Sequence, residues 1–122
     1  MAERATIARP YAKAAFAFAR DQGKLAQWSA WLGTASAVVA SEEFEKLEGS
    51  PGVSSDQLRD LVAGICGERL DDNGRALLAL LAENGRLAYL PEIAERFEKL
   101  KAEAENVAKD HIVAMILDEV AR

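Results

Sequence analysis

Residues 6–22 carry two apolar stripes on what their spacing makes a single helix, and this doubling constrains every other element of the chain. Ala8, Ala12, Ala15, Phe16 and Ala19 recur on one side, while Ile7, Tyr11, Ala14 and Phe18 recur on another. A helix in a small bundle needs only one such stripe. The alanines thin the helix so that a neighbour can come close, and Tyr11 and Phe18 add bulk with one hydroxyl at the edge. Either the second stripe faces a partner helix, or the helix is buried by its own neighbours on two sides.

At 122 residues the chain fits one domain, large enough to build a core without staples. Its 50% of hydrophobic and 29% of charged residues are the composition of a chain that folds. Fifteen basic against 20 acidic residues leave a net charge of -5 without a basic stripe, which disfavours nucleic acid and anionic lipid as partners. Cys66 stands alone, so no disulfide framework or CxxC metal knuckle can form within the chain. No apolar run reaches membrane-spanning length and Met1-Ala2-Glu3-Arg4 lacks the core of a signal peptide. A cytoplasmic protein without direct membrane insertion is expected.

The period is helical almost throughout and no stretch alternates as a half-buried strand would, so the expected class is all-α. A second helix at about 25–40 puts Leu25, Trp28, Leu32, Ala35 and Val39 on one face, with Trp31 and Val38 beside it. Both tryptophans read as packing, since a ligand cage needs converging aromatics. Ser41 suits the N-cap of a short third helix with Phe44 and Leu47 inward, stopped by Gly49-Ser50-Pro51-Gly52. Ser54 and Gln57 read as a capping box opening a fourth helix through Cys66, with Leu58, Leu61, Val62 and Ile65 as its buried stripe.

Asp71-Asp72-Asn73 opens a fifth helix that Asn84-Gly85 closes, Gly85 being free to take the left-handed conformation. If Leu77, Leu78 and Leu81 face the bundle, Leu80 and Ala76 are left on its flank. Two helices with apolar surface to spare, lying side by side, leave a shallow groove of the kind that accepts an amphipathic helix, unless a sixth helix covers Leu80. That sixth helix begins near residue 90, with Leu90, Ile93, Phe97, Leu100, Ala104 and Val107 as its core stripe. Glu92 with Arg96 and Glu95 with Lys99 are i,i+4 pairs on its wet face. Residues 110–122 read as another amphipathic turn or helix, in which Ile112, Met115, Ile116, Leu117 and Val120 need burial somewhere.

Little here suggests chemistry. Cys66 could act as a nucleophile with His111 as its base, but no orienting group or oxyanion donor accompanies them, and a lone buried cysteine usually serves as a small hydrophobe. His111 has no His or Cys partner near in sequence with which to hold a metal. No catalytic, cofactor-binding or metal-ligating residue is expected.

Three stretches together resemble a known family. They are Ala8-Arg9-Pro10-Tyr11-Ala12-Lys13-Ala14-Ala15-Phe16 with Trp28 after it, Ile65-Cys66-Gly67-Glu68 with Leu70-Asp71, and Ala82-Glu83-Asn84-Gly85-Arg86-Leu87 through Leu90-Pro91-Glu92-Ile93 and Phe97. Over about residues 1–108 they resemble the N-terminal domain of the delta subunit of bacterial F-type ATP synthase, a relative of the mitochondrial oligomycin-sensitivity-conferring protein. The resemblance implies a six-helix bundle, non-catalytic, that sits on the catalytic head and binds the amphipathic N-terminal helix of an alpha subunit between its first and fifth helices. Tyr11 and Ala14 match groove positions of the family's first helix, and Leu80 that of the fifth; Ile7, Phe18 and Ala76 extend the groove by helical spacing, and Trp28 would lie close enough to report binding. The alternative is a free-standing helical adaptor for another amphipathic helix.

Two departures qualify the resemblance. The family's second, smaller domain, which attaches to the b subunit of the peripheral stalk, is missing from these residues. Residues 109–122 also differ from the family's valine-rich, strand-forming linker. This atypical amphipathic tail is expected either to extend the sixth helix, to pack on a neighbour, or to occupy the groove itself.

Overall fold

The structure, a computed structural model, describes residues 2–121. Six α-helices follow one another, with no strand among the described residues: α1 (Ala2–Asp21), α2 (Leu25–Val39), α3 (Glu42–Glu48), α4 (Ser55–Cys66), α5 (Asp72–Glu83) and α6 (Leu90–Ala121). Single 3-10 turns precede α5, at Gly67–Arg69, and α6, at Leu87–Tyr89.

Three of the helices start where a side chain satisfies the free backbone donors. Ser41 caps α3, Ser54 and Gln57 close a complete capping box at α4, and Asp71 caps α5 by accepting from the Gly74 amide at 2.7 Å. Gly85 ends α5 at φ 67°, a conformation only glycine enters without strain.

The first part of α6 runs beside both α1 and α2; α2 in turn packs on α4, and α4 on α5. Trp31, Leu32, Phe44, Leu78, Leu81, Leu90, Ile93 and Phe97 meet at the centre, all but inaccessible to water. On α1 the alanine stripe faces this core: Ala8, Ala12, Ala15, Phe16 and Ala19 are buried, and Phe16 meets the edge of Phe97 at 6.0 Å between centroids. At the start of α1, Arg4 donates to Glu92 Oε1 at 2.6 Å and to the Ala88 carbonyl at 2.7 Å and lies over the Tyr89 ring, fixing α1 to the head of α6.

Several sequence expectations are corrected. Leu61 and Ile65 face water, 37% and 52% exposed, and Cys66 takes their place in a buried stripe with Leu58 and Val62. The turn of α4 toward both α2 and α5 selects the narrower i, i+4, i+8 row. Leu47 is also exposed, because α3 is too short to bury more than Phe44. Glu92 is engaged by Arg4 and not by Arg96, whose Nε is buried without a hydrogen-bond partner, whereas Lys99 and Glu95 do pair, at 3.6 Å.

At the C-terminal end the tail extends the sixth helix, the first of the three arrangements expected for it. No break separates residues 109–121 from the sixth helix: α6 continues for 32 residues, and from Glu105 onward every described residue is exposed. Val107 is therefore solvent-facing, and Ile112, Met115, Ile116, Leu117 and Val120 do not bury themselves on the bundle or in its groove. Nothing on the helix between Lys101 and Asp118 breaks it, so it runs straight past the end of the domain.

Candidate functional site

The second stripe of α1 does not enter the core. Ile7, Tyr11 and Phe18 are half-buried and Ala14 is exposed, so one side of the helix is apolar and wet at once. Across from it, α5 presents Asn73, Leu77, Leu80 and Asn84 with the same 4-3-4 spacing as Ile7, Tyr11, Ala14 and Phe18. Leu80 is 45% exposed, against none for its neighbour Leu81. The two helices run antiparallel here, since Phe18 and Ala14 lie with Asn73 and Leu77 while Tyr11 meets Asn84.

α1 and α5 are not among the closely packed helix pairs, and a cavity of about 200 Å³ opens between them, lined by Ala14, Ala15, Phe18, Trp28, Asn73 and Leu77. Small alanines on α1 make the depth, and Trp28 on α2 forms the floor. Trp28 is 2% exposed, packs its ring 5.3 Å from that of Phe18, and donates its Nε1 proton to Asp71 Oδ2 at 3.1 Å.

Both ends of the groove are pinned. At the N-terminus of α5, Asp71 accepts from Gly74, Trp28 and the Lys24 ammonium. Burial by itself would raise the Asp71 pKa, but these three donors together outweigh it and hold the carboxyl below its ordinary value. At the other end Tyr11 Oη accepts from Arg86 Nη1 at 2.8 Å and Asn84 Nδ2 at 3.3 Å, tying α1 to the turn that closes α5. Leu87, next in that turn, is buried.

The structure thus brings Tyr11, Ala14, Phe18 and Trp28 to one groove, with Leu80 exposed along its α5 wall. Ile7 continues the same α1 row toward the N-terminus. Ala76 lies farther out on α5 and lines a different depression, shared with Arg59 and Ala63 of α4. Asn73, Leu77, Asn84 and Arg86 are lining or pinning residues that the sequence reading did not assign to the groove; Leu77, expected to face the bundle, is half-buried at its edge. The repeated 4-3-4 spacing was the signal that could have found the first three. Cys66 sits under α2 with its thiol directed at the Trp31 carbonyl, its pKa raised by burial, and His111 stands out on the exposed end of α6; no nucleophile-base pair is formed.

A helical bundle with a preformed interhelical groove is a class of scaffold that binds another helix. Comparison with known proteins narrows that class. The family model described as ATP synthase delta (OSCP) subunit matches residues 7–119. The chain is 46% identical over 114 residues to ATP synthase subunit delta of Nitrosomonas eutropha and equally to that of Nitrosospira multiformis, covering 93% of this chain and 64% of each relative. It is 43% identical over 120 residues to ATP synthase subunit delta 1 of Photobacterium profundum, covering 98% of this chain and 67% of that one. The chain belongs to the ATP synthase delta (OSCP) subunit family, and it spans less than two thirds of the length of the Nitrosomonas and Nitrosospira proteins.

Proposed function

We propose that this chain is a non-catalytic stator module of an F-type ATP synthase, peripheral to the cytoplasmic face of the membrane, and that its α1/α5 groove holds the amphipathic N-terminal helix of an alpha subunit. The observation that carries the reading is the apolar row of α1 set apart from Leu77 of α5 over a tryptophan floor, with Leu80 exposed on the same α5 row. No helix among the described residues is long and apolar enough to cross a membrane. The role is mechanical: the module helps hold the catalytic head still against the rotor.

In this reading Phe18, Leu77 and Leu80 bury the apolar face of the incoming helix, Ala14 admits its backbone closely, and Tyr11 fixes the far end. Ile7 extends the contact along α1, whereas Ala76, on the side of α5 toward α4, stays outside it. Titration of the chain with the N-terminal segment of the alpha subunit from the same organism, followed by Trp fluorescence, is the test. Saturable one-to-one binding that Leu80→Asp abolishes is expected; absence of binding both in the whole chain and after removal of residues 109–122 would return the chain to the reading of a helical adaptor for a different ligand.

A further inference from the structure

α1 keeps its two signs of charge apart. Arg9, Lys13 and Arg20 recur at i, i+4 and i+11 on one side of the helix, where Arg9 borders a depression toward α6 with Arg96 and Lys99. Glu3 and Asp21 fall on another side, three turns before and two turns after Ala14, in the row that faces the groove. Both are exposed, and so is Glu83, on the outer crest of α5 one turn beyond Leu80. Carboxylates thus edge the apolar strip of the groove, while these three cations of α1 are turned away from it.

The protein itself does little to neutralise this rim. No ion pair joins Glu3 or Glu83 to a cation among the described residues. Asp21 meets the exposed guanidinium of Arg20 beside it at 3.2 Å, a contact that water screens. Of the two cations that pin the ends of the groove, Lys24 is paired with Asp71, and Arg86 is held half-buried against the Tyr11 hydroxyl. Three exposed carboxylates therefore face whatever enters, against one guanidinium at the far end.

We propose that the helix seated in the groove carries Lys or Arg along the edges of its apolar face and no carboxylate there. Selection of this kind presupposes the proposed function, a partner helix between α1 and α5, and adds the chemistry by which that helix is chosen. An apolar strip alone accepts any amphipathic helix, whereas charge at its edges admits one kind and repels another. Spacing sets the length as well. Glu3 and Asp21 lie 18 residues apart, about 27 Å along α1, so a helix of about five turns meets both. The same rim disfavours the projecting end of α6, whose apolar stripe has Asp110, Asp118 and Glu119 beside it.

Two dye-labelled synthetic helices of equal length and identical apolar face, one edged by Lys and the other by Glu, test this by fluorescence anisotropy with the whole chain. The Lys-edged helix should bind about tenfold tighter at about 20 mM salt, with the difference shrinking at about 0.5 M. Glu3→Gln/Asp21→Asn/Glu83→Gln should erase the preference. Glu43→Gln/Glu68→Gln/Glu103→Gln, which removes as many exposed charges away from the groove, should keep it, and both variants should melt as the parent does. Equal affinities, no binding of either helix, or a preference that the two variants change alike would overturn the proposal. The alpha N-terminal segment, titrated alongside, separates the two readings. If it fails to bind where the Lys-edged helix succeeds, the alpha subunit is the wrong partner and the charge rule stands; if it binds while the charge preference is absent, the rule alone falls.

Discussion

Asp71 does more for the position of the groove than any apolar residue, because one carboxylate caps α5, anchors the Trp28 indole and draws in Lys24. Its pKa and that of Glu92, which the Arg4 hydrogen bonds depress, both lie below their ordinary values in the folded chain. A depressed folded pKa favours the ionised folded state, so the stability these groups add is complete above the ordinary carboxylate range and lost as pH falls through the folded values. Urea unfolding midpoints should therefore hold from pH 7 to about 5 and decline below about 4. Asp71→Ala should cost about 2 kcal/mol at pH 7, from the lost cap and the orphaned indole donor, and the gap from the parent should narrow in acid. Gly74 is a second single-atom constraint. A Cβ there would come within 2.7 Å of Leu70 Cδ1 and 3.2 Å of the buried Trp31 ring. Leu70 can turn away but Trp31 is enclosed, so Gly74→Ala should lower stability by about 1 kcal/mol despite alanine's better helix propensity, as read by the same unfolding curves.

Among the elements, α1 was the most legible in sequence and α4 the least. The two stripes of α1 differ in residue size, alanine against Tyr and Phe, and size alone sorts the buried row from the half-exposed one. α4 has apolar residues on three adjacent rows, and nothing local says whether Leu61 and Ile65 or Cys66 turn inward; the approach of α2 and α5 from outside the segment decides it. The same limit hid the Arg4–Glu92 pair, because an i,i+4 partner at Arg96 is visible in sequence and a partner 88 residues away is not. For the groove, sequence spacing reached Phe18 and Leu80 but not Arg86, whose role depends on the turn at Gly85. This predicts a contrast between two exposed leucine-like positions. Ile65→Ser and Leu80→Asp should each change stability by less than about 0.5 kcal/mol, but only Leu80→Asp should abolish alpha-peptide binding in the fluorescence titration. Tyr11→Phe, which keeps the ring and removes the acceptor of Arg86 and Asn84, should weaken binding by roughly 1 kcal/mol through a loosened α1–α5 spacing.

At the scale of the molecule, the bundle and the projecting end of α6 are separate in energetic terms. The core is closed by Leu90, Ile93 and Phe97, with Leu100 and Ala104 at its margin, and no described side chain beyond Glu105 touches it. An intramolecular tail folded into the groove would compete with a peptide, and its removal would raise affinity. Here the groove is open while the tail leads away from it, so the two have no shared residue through which to compete. Removal of residues 109–122 should consequently leave the thermal midpoint of the bundle, its Trp28 emission and its affinity for the alpha N-terminal segment unchanged. Calorimetric unfolding and the peptide titration, run on the shortened and whole chains, check this directly. An affinity increase on shortening would mean that the tail visits the groove in solution, and a lowered midpoint would mean that α6 stabilises the domain through residues that make no contact with it.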